Sequence, residues 1–305
     1  MAKILITDGI DKGAAEALRS AGHEVATQFY PPEELCEQVK DFNVIVVRSA
    51  TKVTKEILDG AAQTGALSLI IRGGVGVDNI DVNYAKQLGI TVRNTPAASS
   101  NAVAELAVGH MFAVARHIFI ANVTMRAGAW EKKKYTGHEL QGKTLGLIGF
   151  GRIARETARI ARAIGMNVVY NSRSGKKDGY DDFEYRSFAD ILSGSDFISL
   201  HVPADKENGA LIGAAEFAQM KDGAYLINCA RGGVVDEEAL LAALDSGKIA
   251  AAALDVFETE PPKDERILTH ERISLTPHIG ASTKEAQQKI GAEVVGIIEQ
   301  ELGGK

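Results

Sequence analysis

The sequence is 305 residues long, and its 34 lysines and arginines against 40 aspartates and glutamates give a formal net charge of -6. That charge offers no general attraction to nucleic acid or to an anionic membrane, so we expect neither as a partner. Hydrophobic residues make up 45% of the chain and charged residues 24%, the balance of a globular protein that can bury a large core. At this length the chain has room for two ordinary domains.

The location that we expect is the cytoplasm. The N-terminal residues are predicted to form a strand directly, without the charged and apolar segments of a secretory leader. We find no run of the roughly 18 consecutive apolar residues that a membrane span needs. The two cysteines, Cys36 and Cys229, are too few for a disulfide framework, and free thiols indicate a reducing compartment.

Short β-branched runs alternate along the chain with longer segments of helical period, a pattern typical of a parallel sheet with crossover helices. The pattern occurs twice, and a long helical stretch at residues 100–126 lies between the two parts. That stretch is apolar on most faces, so we expect it to be buried between layers, domains or subunits. A last helix is predicted at residues 284–302, and its simplest use is to return to the first domain. The predicted strands are at residues 3–7, 44–47, 69–71, 144–148, 167–170, 197–200 and 224–228, and a first helix is predicted at residues 11–21.

A glycine-rich turn follows the strand predicted at residues 144–148. Its sequence, Gly149-Phe150-Gly151-Arg152-Ile153-Ala154, fits the G-x-G-x-x-A pattern of dinucleotide-binding turns, with the required strand before it and helix after it. Gly149 permits a tight turn, and Gly151 lets the backbone approach a pyrophosphate without a Cβ in the way. Amide groups at the helix N-terminus would then face the phosphates. The turn predicts a bound NAD or NADP.

The sequence leaves the choice between NAD and NADP open. NAD sites usually have an Asp or Glu at the end of the second strand, where it binds the ribose 2′-hydroxyl. Here the strand predicted at residues 167–170 is followed by Asn171, Ser172 and Arg173, and none of these is a carboxylate. A hydroxyl and a guanidinium suit a 2′-phosphate, because arginine can bind it bidentately. The alternative is that Arg173 is only a solvated loop residue.

Three polar residues occur just past strands of the second part, where α/β sheets bind their ligands. Arg231 lies in a Gly-rich turn and can hold a substrate carboxylate through two parallel hydrogen bonds. Hydride transfer at a carbon that bears oxygen requires a proton to move as well, and His278, in a short loop, titrates in the right range. Glu260, before a diproline, would orient that ring and favour its charged form. Each residue also has a structural explanation, so the hypothesis depends on all three following a dinucleotide turn.

Seven segments of the sequence match one known family: RSATKVT at 48–54, RGGVGVDN at 72–79, NTP at 94–96, WEKKK at 130–134, CARGG at 229–233, DVF at 255–257 and PHIGASTKEAQ at 277–287. In these the chain resembles the D-isomer-specific 2-hydroxyacid dehydrogenases, and within that family the phosphoglycerate dehydrogenases. The resemblance runs nearly from end to end. It implies an α/β fold of two doubly wound domains with parallel sheets. These would be a Rossmann-type cofactor domain at residues 95–276 and a flavodoxin-like substrate domain made of residues 1–94 and 277–305.

The resemblance also implies roles for individual residues. His278 would be the acid/base, Glu260 its partner, and Arg231 the clamp on the substrate carboxylate and carbonyl. The expected cofactor contacts are Gly149, Gly151, Arg152, Ile153, Asn171, Ser172, Arg173, His201, Pro203, Cys229, Arg231, Asp255, His278 and Gly280. The expected substrate contacts are Arg48, Ser49, Arg72, Val75, Gly76 and Lys132. We predict no metal site.

Within the substrate set, backbone amides of Val75 and Gly76 would bind the carboxylate, and the basic residues would bind a phosphate. Arg48 and Arg72 belong to the first domain. Lys132 occupies a position at which relatives can carry an arginine that reaches across a dimer interface, so we expect a homodimer. Lysine is a point charge without the fork of arginine, and the lysine run at 132–134 is also compatible with a solvated face.

The reaction that the resemblance implies is oxidation of 3-phospho-D-glycerate to 3-phosphohydroxypyruvate, a step toward serine. A glyoxylate or hydroxypyruvate reductase of the same family that uses NADPH stays open, and the loop at 171–173 favours it. A non-catalytic, nucleotide-sensing binding protein is an alternative of another class, but it would not need His278, Glu260 and Arg231 together. Because the sequence ends at Lys305, we expect no serine-sensing C-terminal domain and no feedback inhibition through one.

Overall fold

The computed structural model of the chain describes residues 1–205 and 207–303. The chain folds into two compact units, one made of residues 1–99 with the segment from residue 281 onward, the other of residues 100–280. The boundaries expected from the sequence come after residues 94 and 276. The last two residues of the expected substrate domain, 304 and 305, lie outside the described residues.

Among its described residues, the first unit contains a five-stranded parallel sheet. Its strands are β1 (Lys3–Ile6), β2 (Glu24–Thr27), β3 (Val44–Val47), β4 (Leu69–Arg72) and β5 (Thr91–Asn94). Its helices are α1 (Lys12–Ser20), α2 (Pro32–Gln38), α3 (Lys55–Ala62), α4 (Val82–Gln87) and the C-terminal helix α12 (Lys284–Gly303). The strand order β2-β1-β3-β4-β5 is the flavodoxin-like order, and the succession of strands reverses between β1 and β3.

The residues of β3 show why this sheet is covered on both faces. All four of its residues are buried, and consecutive side chains of a strand point to opposite faces. Val44 and Val46 pack in one cluster with Ile290 of α12, while Ile45 and Val47 pack in a second cluster on the other face. The continuous apolar run is therefore the pattern of a central parallel strand.

The second unit contains a seven-stranded parallel sheet with the order β12-β11-β10-β9-β6-β7-β8 in the described part of the chain. Its strands are β6 (Thr144–Ile148), β7 (Asn167–Asn171), β8 (Glu184–Tyr185), β9 (Phe197–Leu200), β10 (Ala224–Asn228), β11 (Ile249–Leu254) and β12 (Ile273–Leu275). Its helices are α5 (Ser100–Ala115), α6 (Ile118–Arg126), α7 (Arg152–Ala163), α8 (Phe188–Gly194), α9 (Ala214–Gln219), α10 (Glu237–Asp245) and α11 (Glu265–Leu268). Strand order reverses between β6 and β9, the Rossmann arrangement. The predicted fold class is confirmed.

The helical stretch expected at 100–126 is two helices rather than one. The axis bends by 65° between α5 and α6, where His117 adopts a left-handed conformation with φ 55°. Most of α5 is buried, as expected for a stretch that is apolar on most faces, but α6 has no buried residue. Within residues 1–205 and 207–303 no single helix has the length and apolarity to cross a membrane, although this bent pair has them together.

Candidate active site

The candidate acid/base pair lies at the carboxyl edge of the second sheet. His278 follows β12, and its Nδ1 lies 2.8 Å from Oε2 of Glu260. A carboxylate only accepts hydrogen bonds, so Nδ1 carries the proton and donates. Nε2 makes no hydrogen bond within the described residues, and it is the ring atom available to a substrate. Both side chains are partly open to solvent, 34% for His278 and 38% for Glu260.

Glu260 remains a carboxylate at neutral pH. Burial acts to raise its pKa, but the hydrogen bond and charge of His278, the amide of Phe257 and the charge of Arg231 lower it, and the net pKa lies below its ordinary value. The amide of Phe257 donates to Oε1 at 3.3 Å, so the two carboxylate oxygens have separate partners. The arrangement fixes the orientation of the His278 ring.

Arg231 lies on the turn after β10, close enough to Glu260 for its charge to lower the pKa of that carboxyl. Asn228 shapes this turn, because its side chain accepts from the amide of Ala230 at 3.1 Å and donates to the carbonyl of Arg231 at 3.0 Å. Gly232 is required at the next position. A Cβ there would lie 1.7 Å from the carbonyl oxygen of Phe257, so only glycine lets this turn approach the segment that carries Glu260.

The loop that carries His278 is held by the buried carboxylate of Asp255. Its Oδ1 accepts from the hydroxyl of Thr276 at 2.6 Å and from the amide of Ile279 at 2.8 Å, and its Oδ2 accepts from the amide of Gly280 at 2.9 Å. The amide of His278 donates to the Asp255 carbonyl at 2.9 Å. His278 has φ 52°, a left-handed conformation that a non-glycine residue adopts only when its surroundings impose it. Asp255 and Gly280, both expected cofactor contacts, therefore also have a structural function here.

The glycine-rich turn fits a dinucleotide pyrophosphate. Gly149 has φ 92°, and a Cβ on it would lie 2.4 Å from the carbonyl oxygen of His201. A Cβ on Gly151 would meet nothing within 4 Å, so open space lies in front of the turn. Gly151 is the N-cap of α7 and makes no side-chain cap hydrogen bond, which leaves the first-turn amides, including those of Arg152 and Ile153, to bind an anion.

The loop after β7 carries the residues expected to contact the adenosine ribose of the cofactor. Asn171 is the last residue of β7, and its side chain donates to the carbonyl of Arg186 at 2.9 Å. This hydrogen bond holds Asn171 to the residue that follows β8. Ser172 lies 3.1 Å from the hydroxyl of Ser174, which also accepts from Nζ of Lys177. Arg173 is exposed, and its charge contributes to lowering the pKa of Asp205. Lys177 is not among the contacts expected from the sequence, although the two lysines after Gly175 were a visible signal.

His201, Pro203 and Cys229 follow the strands β9 and β10. Burial lowers the pKa of His201 to about 4, so its ring is neutral, and its Nε2 lies 3.0 Å from the hydroxyl of Ser199. Pro203 lies two residues further along the same segment. Burial raises the pKa of the Cys229 thiol far above its ordinary value, with a smaller contribution from the charge of Asp255. A thiol that stays protonated is a packing group rather than a nucleophile.

Five of the six expected substrate contacts belong to the first unit. Arg48 and Ser49 follow β3, and Arg72 is the last residue of β4. The Arg72 guanidinium lies over Gly74, where a Cβ would overlap it, and Gly74 has φ 148°. Asn94 donates to the carbonyl of Val75, which positions the Val75–Gly76 backbone. The sixth contact, Lys132, is exposed on the turn after α6 in the other unit.

Arg48 lines a groove of about 540 Å³ at the carboxyl edge of the first sheet. The groove lies where β1 and β3 are neighbours, because Asp11 follows β1 and Arg48 follows β3. In open α/β sheets this reversal point is the usual place for a ligand. Lys284, which is not among the contacts expected from the sequence, lines the groove from the start of α12. The other lining residues are Ser282, Thr283, Gln287 and Gln288.

Comparison with known proteins places the chain in a family. A family profile described as D-isomer specific 2-hydroxyacid dehydrogenase, NAD binding domain, matches residues 108–280. The chain is 46% identical to a hydroxypyruvate reductase from Thermotoga maritima over 99% of this chain and 98% of that protein. It is 45% identical to a D-3-phosphoglycerate dehydrogenase from Methanocaldococcus jannaschii over its whole length, which spans 58% of that protein. Several other curated relatives are likewise matched over only about half of their length, 49% in one plant protein.

A solved structure gives the same result. The crystal structure of a glyoxylate reductase from Paecilomyes thermophila superimposes with a TM-score of 0.87 at 34% identity, covering 96% of this chain and 93% of that one. This chain belongs to the D-isomer-specific 2-hydroxyacid dehydrogenase family, as the sequence motifs predicted. It is therefore an oxidoreductase with an NAD(P)-binding Rossmann domain. The names of its relatives divide between two substrates, phosphorylated and unphosphorylated.

Proposed function

We propose that this enzyme interconverts 3-phospho-D-glycerate and 3-phosphohydroxypyruvate by hydride transfer at C2. The observation that supports a phosphorylated substrate is the groove lined by Arg48 and Lys284. Neither side chain forms an ion pair within the described residues. The acid in the groove, Asp11, accepts the amide of Ala14 at 3.3 Å and so caps α1. Two cations without a carboxylate partner are suited to an anionic group such as a phosphate.

The residues of the second unit supply the proton chemistry. When bound, the nicotinamide supplies the hydride acceptor or donor. Nε2 of His278 takes the proton of the C2 hydroxyl during oxidation and returns it during reduction, while Glu260 holds the ring at Nδ1 and stabilises its charged form. The Arg231 guanidinium binds the substrate carboxylate and polarises the C2 oxygen.

The proposed preference for a phosphorylated substrate is tested by initial rates, which are followed through the absorbance of the reduced nicotinamide. 3-Phosphohydroxypyruvate, hydroxypyruvate and glyoxylate are compared with the wild type and with Arg48→Gln and Lys284→Gln. We expect kcat/KM to favour the phosphorylated acid, and each variant to reduce that preference by about tenfold or more, the effect of a lost charge-assisted hydrogen bond. Lys289→Gln, an exposed lysine of α12 outside the groove, is the matched control. Equal rates with the three acids in the wild type would reject the proposal.

A reductase of hydroxypyruvate or glyoxylate that uses NADPH is the second candidate, and the loop after β7 favours it. Arg173 and Lys177 both lie within six residues of the strand end, and Asn171 stands where NAD sites usually have a carboxylate. The same rate measurements, each made with NADH and with NADPH, distinguish the candidates. Preference for NADPH together with an unphosphorylated acid would support this function over the first.

We also propose that the enzyme is a homodimer formed through α5, α6 and the turn that follows. Large apolar side chains are exposed there, and Trp130 is 78% exposed. The others are Phe112, Ile118, Val123 and Met125. Light scattering after gel filtration should give twice the chain mass for the wild type and the chain mass for Val123→Asp. Phe29→Asp, which replaces an exposed aromatic residue of the first unit, is the control and should leave the dimer intact. A monomeric wild type would reject the proposal.

A further inference from the structure

His110 is a buried histidine on α5 that the chemistry above does not use. It is 4% exposed, and the neighbours of its helix in the core are apolar. Nδ1 lies 3.1 Å from the hydroxyl of Ser274, and Nε2 lies 3.0 Å from the hydroxyl of Thr276. Ser274 belongs to β12 and Thr276 is the residue after it, two positions before His278. Each ring nitrogen therefore has one partner, and both partners lie in the segment that leads into the loop carrying His278.

The directions of these hydrogen bonds follow from the number of protons available. The hydroxyl of Thr276 has one proton, which it donates to Oδ1 of Asp255 at 2.6 Å, because a carboxylate can only accept. Thr276 must then accept from Nε2–H of His110. Burial lowers the pKa of His110, against the opposing charge of Asp255, so the ring is neutral and Nδ1 accepts from Ser274. The order of donation is Ser274 to His110, His110 to Thr276, and Thr276 to Asp255.

Asp255 connects this series of hydrogen bonds to the loop that carries His278. Its carboxylate accepts from the amides of Ile279 and Gly280, and its carbonyl accepts from the amide of His278. Val103 of α5 also lies near the loop, since a Cβ added to Gly280 would lie 3.3 Å from its Cγ2. Helix α5 thus lies near the loop at both ends, at Thr276 through the His110 hydrogen bond and at Gly280 through the neighbouring side chain of Val103. The left-handed backbone of His278 lies between these two positions.

We propose that His110 is a positioning residue that acts through Thr276 and Asp255 to hold the His278 loop in its reactive conformation. The proposal rests on the proposed acid/base role of His278, but not on which 2-oxo acid is the substrate. Without the His110 donor, Thr276 can turn its hydroxyl away from Asp255, and a carboxylate that has lost one of its three donors fixes the loop less well. Displacement of His278 by a fraction of an ångström slows proton transfer without removing any group that binds substrate.

The test compares His110→Leu, His110→Gln and Thr276→Val with the wild type in the reduction direction. We expect His110→Leu and Thr276→Val each to lower kcat by about tenfold or more, with KM for the 2-oxo acid and Kd for the reduced cofactor within about twofold of the wild type. His110→Gln keeps an N–H donor and should recover part of the lost kcat. The double variant His110→Leu/Thr276→Val should be no slower than the slower single variant, since both changes break one link.

Met111→Leu, a volume-conserving change of a buried neighbour on α5, is the control and should retain the wild-type kcat. If kcat of His110→Leu stays within twofold of the wild type, or if the two losses multiply in the double variant, the proposal is wrong. If His110→Leu does not fold, the decision rests on kcat of Thr276→Val and of His110→Gln. The proposal then requires a loss of about tenfold or more for Thr276→Val and a smaller loss for His110→Gln. For each variant the measured quantity is its kcat divided by the wild-type kcat, both with the 2-oxo acid that the wild type reduces best. If the proposed substrate is wrong, the wild type reveals it by preferring another acid. If the proposed role of His110 is wrong, the kcat ratios reveal it whichever acid is used.

Discussion

Nδ1 of His278 donates to Oε2 of Glu260 across 2.8 Å, although 18 residues separate the two in sequence. The loop after β11 and the loop after β12 bring them together, because neighbouring parallel strands end at the same edge of the sheet. The hydrogen bond fixes which nitrogen faces the substrate. It also places a carboxylate where a charged imidazole forms during oxidation, which favours removal of the hydroxyl proton.

Replacing His278 should therefore slow the reaction more than replacing Glu260 does. We expect His278→Gln to lower kcat by about 10²–10⁴, the usual contribution of a positioned acid/base, because a glutamine amide cannot take up and return the proton. Glu260→Gln keeps a hydrogen-bond acceptor but loses the charge, so the loss should be smaller. Steady-state rates measure both effects.

Cofactor binding is the control for these two variants. The fluorescence of bound reduced nicotinamide should give a Kd within about threefold of the wild type for each, since neither change touches the glycine-rich turn or the first turn of α7. A His278→Gln enzyme that no longer binds the cofactor would mean that the residue supports the cofactor site, and the acid/base assignment would have to be withdrawn.

The lowered pKa of Glu260 predicts how its contribution to stability depends on pH. Burial acts to raise this pKa, but the His278 hydrogen bond and charge, the Phe257 amide and Arg231 lower it below its ordinary value of 4.5. A carboxyl whose pKa is lower in the folded state stabilises that state above the ordinary value, and the contribution is lost as the pH falls through the lowered pKa. The side chain is partly exposed, so the effect should be small.

Thermal unfolding of the wild type and of Glu260→Gln measures this effect. The Tm of the wild type should exceed that of the variant at about pH 6, and the difference should shrink as the pH drops below the ordinary glutamate value. A difference that grows toward low pH would contradict the lowered pKa.

Much of the fold was predictable from the sequence because its central strands are buried on both faces. The strands predicted at 44–47, 197–200 and 224–228 have the same bounds in the structure, and every residue in them is buried. The strands β2, β5 and β8 were missed. They lie at the ends of the sheets and contain only exposed and half-buried residues, so their sequences contain no apolar run.

The catalytic candidates were also recognisable, but their supports were not. Arg231, Glu260 and His278 each follow a strand, and a sequence pattern can locate that position. The clamp by Asp255 depends on a side chain that reaches three residues in a loop about 20 positions later. His110 lies in a mostly apolar helix, and nothing in the sequence around it indicates its hydrogen-bond partners Ser274 and Thr276. Lys284 enters its groove only because α12 folds back onto the first sheet.

The loop after β7 predicts a selective effect of Arg173→Ala on the two cofactors. If Arg173 binds a 2′-phosphate, its removal should raise KM for NADPH by about tenfold or more and leave KM for NADH nearly unchanged, because NADH has only a hydroxyl there. Lys176→Ala is the matched control. Lys176 is on the same loop, but its ammonium pairs with Asp181 at 2.7 Å, so its loss should affect both cofactors little. Equal effects of Arg173→Ala on NADPH and NADH would refute the 2′-phosphate assignment.

The two cysteines should differ in reactivity. Cys229 is buried and its pKa is raised, mainly by desolvation and further by Asp255, so at about pH 8 it has almost no thiolate. Cys36 is half-buried. Alkylation with iodoacetamide followed by peptide mass spectrometry should label Cys36 in the native protein and both cysteines after unfolding in guanidinium. Rapid labelling of native Cys229, with activity lost in parallel, would show that the thiol is accessible during turnover.

The two glycines of the cofactor turn should separate folding from cofactor binding. Gly149→Ala would place a Cβ 2.4 Å from the carbonyl oxygen of His201 at a residue with φ 92°, so we expect a loss of about 1–3 kcal/mol in the free energy of unfolding.

Gly151 has an extended backbone, and a Cβ on it meets nothing within 4 Å. Gly151→Ala should therefore unfold within about 0.5 kcal/mol of the wild type. The methyl group would instead occupy the space that the pyrophosphate needs, and Kd for the cofactor should rise by about tenfold or more. Urea unfolding and nicotinamide fluorescence measure the two effects on the same preparations. If Gly151→Ala bound the cofactor as tightly as the wild type does, the phosphates would have to lie elsewhere than at the start of α7.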